Sequence, residues 1–360
     1  MIIRIIFDIG HPAHVHLFRH VISHFDKNGH EYLVVARNKD ITLKLLDIYK
    51  IPYSVPAAIG AGTAGLLREL VQREIKILAI GFKFKPDFII GTSVHAARIS
   101  RLIGSKSIVL CEDDAHAVPI QRLLAYPLAT AVVTPDSLKY ENYGDKHLTY
   151  PSYQKLFYLH PDRFIPDDSV RNELGIIGAE QYAIIRLSAL KAHHDRGVTG
   201  ITKELLHRVI ELAGSSVRLF ISSEKELDRE FEPYRLTLPP EKIHHALAFA
   251  EFFLGDSQSM TMEAALLGTP SFRINSFVGK LSVLKELEDY GLSYGFRPGQ
   301  EHGLLNALQQ FLATDNRNRL YKKLWEKMIS DKIDPLPWFL DVINLLYSGK
   351  KTKDIKEIQL

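Results

Sequence analysis

Three histidines fall within six residues directly after the first apolar run, in Gly10-His11-Pro12-Ala13-His14-Val15-His16. Imidazole titrates near neutral pH, so a ring held there can take a proton from a reacting hydroxyl. His14 is the candidate base, and Gly10 and His11 are candidates for touching a bound substrate. A metal would need further spaced ligands. His14 and His16 are only two apart and no carboxylate nearby completes a set, so no metal is expected. The structural alternative is that these rings cap a helix or fill an interface. A second cluster, Cys111-Glu112-Asp113-Asp114-Ala115-His116, offers acids and another imidazole. Asp113, Asp114 and His116 can orient or deprotonate a hydroxyl, and Asp114 and His116 join His14 as the catalytic candidates. The acidic pair would also suit a divalent cation holding a diphosphate, or an acid-rich helix start.

The later half carries groups suited to an anion. Gly255-Asp256-Ser257-Gln258-Ser259-Met260-Thr261-Met262-Glu263 reads as a strand end, a small polar turn and a helix start near Ser259. The first N–H groups of a helix lack internal acceptors and sit at its positive end, which suits phosphate. Ser257, Ser259 and Thr261 add hydroxyls, Met260 lies in the same turn, and Glu263 can accept both hydroxyls of a ribose. An ordinary helix capped by Ser259, with Glu263 merely solvated, is the plain alternative. Arg186 ends another strand and leads into Ser188 and a loop with Lys191, His193 and His194. A cation there can neutralise a leaving diphosphate; an interdomain salt bridge is its other use.

Short apolar runs alternating with helical periodicity must position these groups. Strands are expected at Ile2–Ile9, Glu31–Ala36, Asp87–Ile90, Ser107–Cys111 and Ala131–Thr134, and a helix at Val15–Asn28 closed by Gly29. A second series runs through strands Tyr182–Leu187, Val217–Ser222, Phe252–Gly255 and Ser271–Ile274, with helices Ile201–Leu212 and Met260–Leu267. This βα rhythm predicts an α/β protein with parallel sheets and ligand sites at the strands' carboxyl ends. The prolines and aromatics of Tyr150–Asp168 mark the linker. The expected domains are therefore 1–165 and 166–335, with a C-terminal helix at 336–348 completing the first.

At 360 residues, roughly 150 per domain also suggests about two domains. A net charge of +3, from 45 basic and 42 acidic residues, is too balanced for a nucleic-acid binder. The single cysteine excludes an internal disulfide framework and fits a reducing cytoplasm. No apolar run reaches the roughly 18 residues of a transmembrane helix, and the first meets Asp8 too soon for a signal peptide. A cytoplasmic protein is expected. The basic and apolar stretch Ile77–Lys85 leaves contact with the inner face of a membrane open. Gly60-Ala61-Gly62-Thr63-Ala64-Gly65 spells a dinucleotide fingerprint, but no acid follows at the required place, so a flexible loop is expected instead of NAD.

Taken together, these segments resemble the DUF354 family, itself similar to GT-B glycosyltransferases and non-hydrolysing UDP-N-acetylglucosamine 2-epimerases. The resemblance spans nearly the whole chain. It rests on Asp8–His16, Pro127–Leu138, Tyr158–Phe164, Gly255-Asp256-Ser257 and Glu263–Pro270. It implies a GT-B-like α/β fold, with two Rossmann-like domains facing across a cleft and a C-terminal helix, near Trp338–Tyr347, returning to the first. It further implies a UDP-type nucleotide sugar as substrate, no separate cofactor, and a glycan or lipid-linked acceptor. Glu263 matches the ribose-binding glutamate, Ser257 and Ser259 the diphosphate turn, and Arg186 a phosphate contact. His14 sits where many such enzymes keep a catalytic or sugar-contacting residue. The first loop has neither the Gly-rich form of lipid-linked sugar transferases nor the Gly-Thr-Arg-Pro-Glu form of the epimerases. A glycosyltransferase is the leading expectation; a 2-epimerase or a non-catalytic nucleotide-sugar-binding protein are the alternatives.

Overall fold

The computed structural model describes residues 2–57, 60, 62–188, 200–214, 216–223 and 226–358, with backbone alone at 63, 64, 66 and 67. The chain divides into two compact units, Met1–His160 with Ile333–Leu360, and Pro161–Lys332. The expected boundary was near residue 165.

In the first unit the strands are β1 (Arg4–Ile9), β2 (Glu31–Ala36), β3 (Phe88–Gly91), β4 (Lys106–Leu110), β5 (Ala131–Pro135) and β6 (His147–Tyr150). They form one parallel sheet in the order β2-β1-β3-β4-β5-β6. Right-handed crossovers decide where the helices go. The step from β1 to β2 runs opposite to the steps from β2 to β3, β3 to β4 and β4 to β5. Helices Gly62–Phe84, Val94–Ile103 and Pro119–Leu124 therefore share one face, each packed on its neighbour. On the other face, helix Pro12–Lys27 packs against Leu156–Leu159 and Pro335–Tyr347.

Helix Pro12–Lys27 starts three residues earlier than its apolar periodicity suggests. Proline fits a first helical position, where its missing N–H costs nothing, and Val15, Phe18, Val21, Ile22 and Phe25 then turn inward. The stretch read as a linker is instead core up to Leu159. Tyr150, Tyr153, Leu156, Phe157 and Tyr158 are buried, with Tyr150 5.2 Å from the Trp338 ring and Phe157 5.5 Å from Phe339. The segment Ile77–Phe84 is the end of a long helix, and Lys85 follows it. Ile77 faces the core beside Ile6, Ile89 and Ile99, while Lys83 faces solvent.

The second unit has β7 (Gln181–Leu187), β8 (Val217–Ser223), β9 (Phe253–Gly255), β10 (Ser271–Ile274) and β11 (Ser293–Phe296). This sheet is also all parallel, in the order β11-β10-β9-β7-β8. Sequence reading missed β6 and β11, which are four-residue edge strands without a sustained apolar run. Among the described residues, no helix is long and apolar enough to cross a membrane.

Candidate functional site

The first candidate cluster is built on the carboxyl ends of β1, β3 and β4, which are neighbours in the sheet. Asp8 is fully buried at the end of β1, and its carboxylate takes hydrogen bonds from Arg73 and the Ser93 hydroxyl. Burial alone would raise its pKa, but Arg73, His95 and Ser93 outweigh burial and hold it below the usual carboxylate range. Glycine at Gly91 of β3 eases this approach, since a Cβ there would lie 3.0 Å from the Asp8 Cβ and press on it.

Above this pair the histidine loop closes on itself. His11 caps the helix, its Nδ1 accepting the Ala13 N–H at 3.2 Å. His14 Nδ1 accepts the Gly10 N–H at 3.2 Å, and its Nε2 lies 2.9 Å from the Thr92 hydroxyl oxygen. With Nδ1 accepting, the neutral ring carries its proton on Nε2 and donates it to Thr92. Burial, and then the neighbouring His11, push the His14 pKa down to about 3. Both nitrogens are thus engaged in a weakly basic ring, which suits holding the loop better than abstracting a proton. His16 is buried, 5.4 Å from the Tyr158 ring, and belongs to the core.

The loop after β4 separates its acids. Glu112 pairs with the buried Lys155. Asp114 is buried and accepts the Tyr140 hydroxyl, while the Ala115 N–H donates to Glu141 at 2.5 Å. Asp114 therefore anchors the loop instead of facing a reactant, and His116 is exposed. Asp113 differs. Burial first, then the Glu112 and Asp114 carboxylates, raise it to about 6 against the pull of Lys155. Of this cluster, Asp113 has the protonation behaviour of a base working near neutral pH. Burial pushes the Cys111 thiol up to about 12, so its reactive thiolate is suppressed.

The second cluster lies at the carboxyl ends of β7, β9 and β10. Helix Gln258–Leu266 follows β9, with Ser257 rather than Ser259 as its cap, accepting the Met260 N–H at 3.4 Å. The Gln258 and Ser259 N–H groups belong to the first turn of the helix and, among the described residues, have no acceptor. Ser259 is half-buried, whereas Thr261 is buried and donates its hydroxyl to the Ser257 carbonyl at 2.6 Å. Thr261 is thus a helix-internal group, not a phosphate donor. Asp256 ties the strand ends together. Its carboxylate accepts the Ser188 N–H at 2.8 Å, and its carbonyl accepts from Asn275, just past β10, at 2.9 Å. Burial raises its pKa.

Arg186 sits beside Gly255 in the sheet register and donates to the Ser222 hydroxyl at 2.7 Å. A Cβ at Gly255 would strike the Phe253 ring at 2.6 Å and come 3.2 Å from the Arg186 Cβ. Glu263 is buried, with Oε1 3.3 Å from His244 Nε2 on helix Ile243–Ala248. It is therefore oriented, not solvated. Lys191, His193 and His194 lie outside the described residues.

The structure thus gathers Gly10, His11 and His14 in one loop, Asp114 and His116 in another two strands away, and Arg186, Ser188, Ser257, Ser259, Met260 and Thr261 in a third group. Sequence reasoning missed Thr92, Ser93 and the Asp8–Arg73 pair, and undervalued Asp113 and Asp256. An acid ending an otherwise apolar strand was the available signal for Asp8, and Thr92-Ser93 before a helix was the signal for a second loop at this rim. The glycines of the fingerprint-like stretch serve a local turn: Gly60 N–H donates to Glu69 at 3.0 Å, and a Cβ on Gly65 would press on the Gly60 backbone at 3.1 Å. Ala61 lies outside the described residues.

The uncharacterized protein of Methanocaldococcus jannaschii is 24% identical over 281 residues, covering 73% of this chain and 79% of that protein. The UDP-GlcNAc 2-epimerase of Neisseria meningitidis, bound to UDP-GlcNAc, matches with a TM-score of 0.66 at 14% identity, over 96% of this chain and 100% of that one. A spinosyn forosaminyltransferase matches with a TM-score of 0.64 at 11% identity, over 97% and 100%. The fold is that of GT-B glycosyltransferases and nucleotide-sugar 2-epimerases. The family described as protein of unknown function DUF354 matches residues 3–322, and the chain belongs to that family.

Proposed function

We propose that the protein is a glycosyltransferase that takes a sugar from a nucleotide-diphosphate donor and passes it to a glycan precursor. The observation that carries this reading is the turn after β9. There the first N–H groups of helix Gln258–Leu266 and the Ser257 and Ser259 hydroxyls lie one strand from Arg186. Such a turn suits a diphosphate, and Arg186 can offset charge on the leaving group without a metal. Glu263, oriented by His244, is the group for the ribose hydroxyls. In the first unit Asp113 is the group to deprotonate the acceptor, and the neutral His14 holds the loop after β1 in shape. UDP is the first nucleotide to try, because two of the similar solved structures carry UDP or UDP-GlcNAc.

The test is calorimetric titration with UDP and UDP-sugars, followed by product analysis in deuterated water with and without glycan acceptors. Transfer that needs an acceptor and fails in Asp113→Asn supports the reading. Deuterium entering sugar C2 without any acceptor would replace it with epimerisation. Tight UDP binding with no turnover on any donor–acceptor pair would leave a binding protein, and no nucleotide binding at all would remove the donor site.

A further inference from the structure

The face of the first unit formed by helices Gly62–Phe84, Val94–Ile103 and Pro119–Leu124 has the wrong surface for water. Ile75, Phe82, Leu102, Ile120 and Leu123 each expose between 59% and 71% of their surface, and Val71 exposes 46%. Scattered apolar side chains at a surface are ordinary, but six on three helices packed in a row crowd one face. The spacing is regular as well. Val71, Ile75 and Phe82 recur at steps of four and seven along the outward side of the first helix, while Arg73 and Ile77 point inward. Helix Pro119–Leu124 has no buried side chain of its own.

Charge defines what this patch fits. The three helices contain seven Arg or Lys and two acids, Glu69 and Glu74. Both acids are already paired with arginines, Glu69 with Arg37 and Glu74 with Arg98. Arg68, Lys76, Lys83, Arg101 and Arg122 thus leave the patch strongly cationic. A second copy of the chain is a poor partner for it, because a two-fold contact sets each patch against itself and brings like charges together. An anionic bilayer answers both properties, with headgroups for the cations and acyl chains for the apolar side chains.

We propose that this face docks the protein on the surface of an anionic membrane, as a peripheral contact that leaves the fold unchanged. The proposal goes beyond the transferase reading and does not depend on it: a chain that binds no nucleotide would still carry the face. If both hold, the acceptor class narrows to glycans attached to lipid, presented at the surface on which the protein rests.

The experiment is flotation of the full chain with phosphatidylcholine vesicles, with and without phosphatidylglycerol. The wild type is expected to float with the anionic vesicles and to be released by added salt, as screening weakens the cationic contribution. The double variant Ile75→Ser with Leu123→Ser removes two exposed apolar side chains and should weaken binding by roughly tenfold or more. Lys76→Glu with Lys83→Glu should abolish the preference for anionic vesicles. Unchanged thermal melting of both variants shows that the fold is intact, and UDP titration of the same samples reads the donor site separately. Absence of flotation by the wild type, or equal flotation by all variants, would overturn the proposal. So would a concentration-dependent dimer in sedimentation that the Ile75→Ser and Leu123→Ser changes dissolve, since that assigns the face to a second copy.

Discussion

The turns after β1 and β9 start from the same plan, a strand that ends in a glycine-containing bend and feeds a helix, yet they end in opposite states. After β1 the backbone donors are taken. Pro12 has no N–H, Ala13 gives its own to His11, and Gly10 gives its own to His14. After β9 the cap is a small hydroxyl, and among the described residues the Gln258 and Ser259 N–H groups have no acceptor. The comparison teaches that a strand–turn–helix is an anion site only if its side chains leave the helix start alone. Imidazoles close it; serines leave it open.

This contrast can be broken in several places. The largest effect is expected at Asp8→Ala, which leaves Arg73 buried without its partner and should cost about 3–5 kcal/mol in chemical denaturation. Nucleotide affinity of the molecules that remain folded should be unchanged, and a parallel loss of UDP binding would erase the distinction between the two turns. Asp113→Asn should lower turnover by roughly 10²–10⁴-fold while UDP still binds. The wild-type rate should fall as pH drops below about 6, where this carboxyl takes up its proton, and the residual rate of the variant should lack that acid limb.

Arg186→Ala is expected to weaken UDP binding by roughly 10–100-fold, the scale of a hydrogen bond to a charged group, with little change in melting. Ser257→Ala should cost about 1 kcal/mol of stability from the lost cap. The last effect is a slope. His14 is held well below its ordinary pKa, so the unfolded chain takes the proton first and stability falls as pH drops below about 6.5. His14→Asn should flatten that slope, and an unchanged pH dependence would show that the ring is not held neutral.

How much of this was legible in the sequence follows the range of the forces involved. Nine of the eleven described strands could be read because β-branched and aromatic runs are a local signal, and Ser271–Ile274 falls where it was expected. The Gly255–Ser257 turn was legible for the same reason. What escaped depends on contacts far along the chain. Asp8 meets Arg73 across 65 positions, and Glu263 meets His244 from a different helix. Such pairings change what a residue can do without changing its neighbours in sequence. Asp113 and Asp114 show the limit best: adjacent and chemically identical, they are told apart by burial and by the Tyr140 hydroxyl that holds Asp114. The outward apolar stripe was half legible, since Ile77–Lys85 reads as basic and apolar, but its join with Leu102 and Leu123 needs the fold.

The return of residues 333–360 to the first unit has a consequence for how the chain is made. All six strands of the first sheet precede residue 161, yet helix Pro335–Tyr347, which covers Tyr150 and Phe157, comes after the entire second unit. During synthesis the early sheet must wait with those aromatic rings uncovered while the second unit emerges. A ribosome stalled before residue 335 would hold a sheet already paired but lacking one wall of its core. Chaperones and proteases would meet the nascent chain at that face.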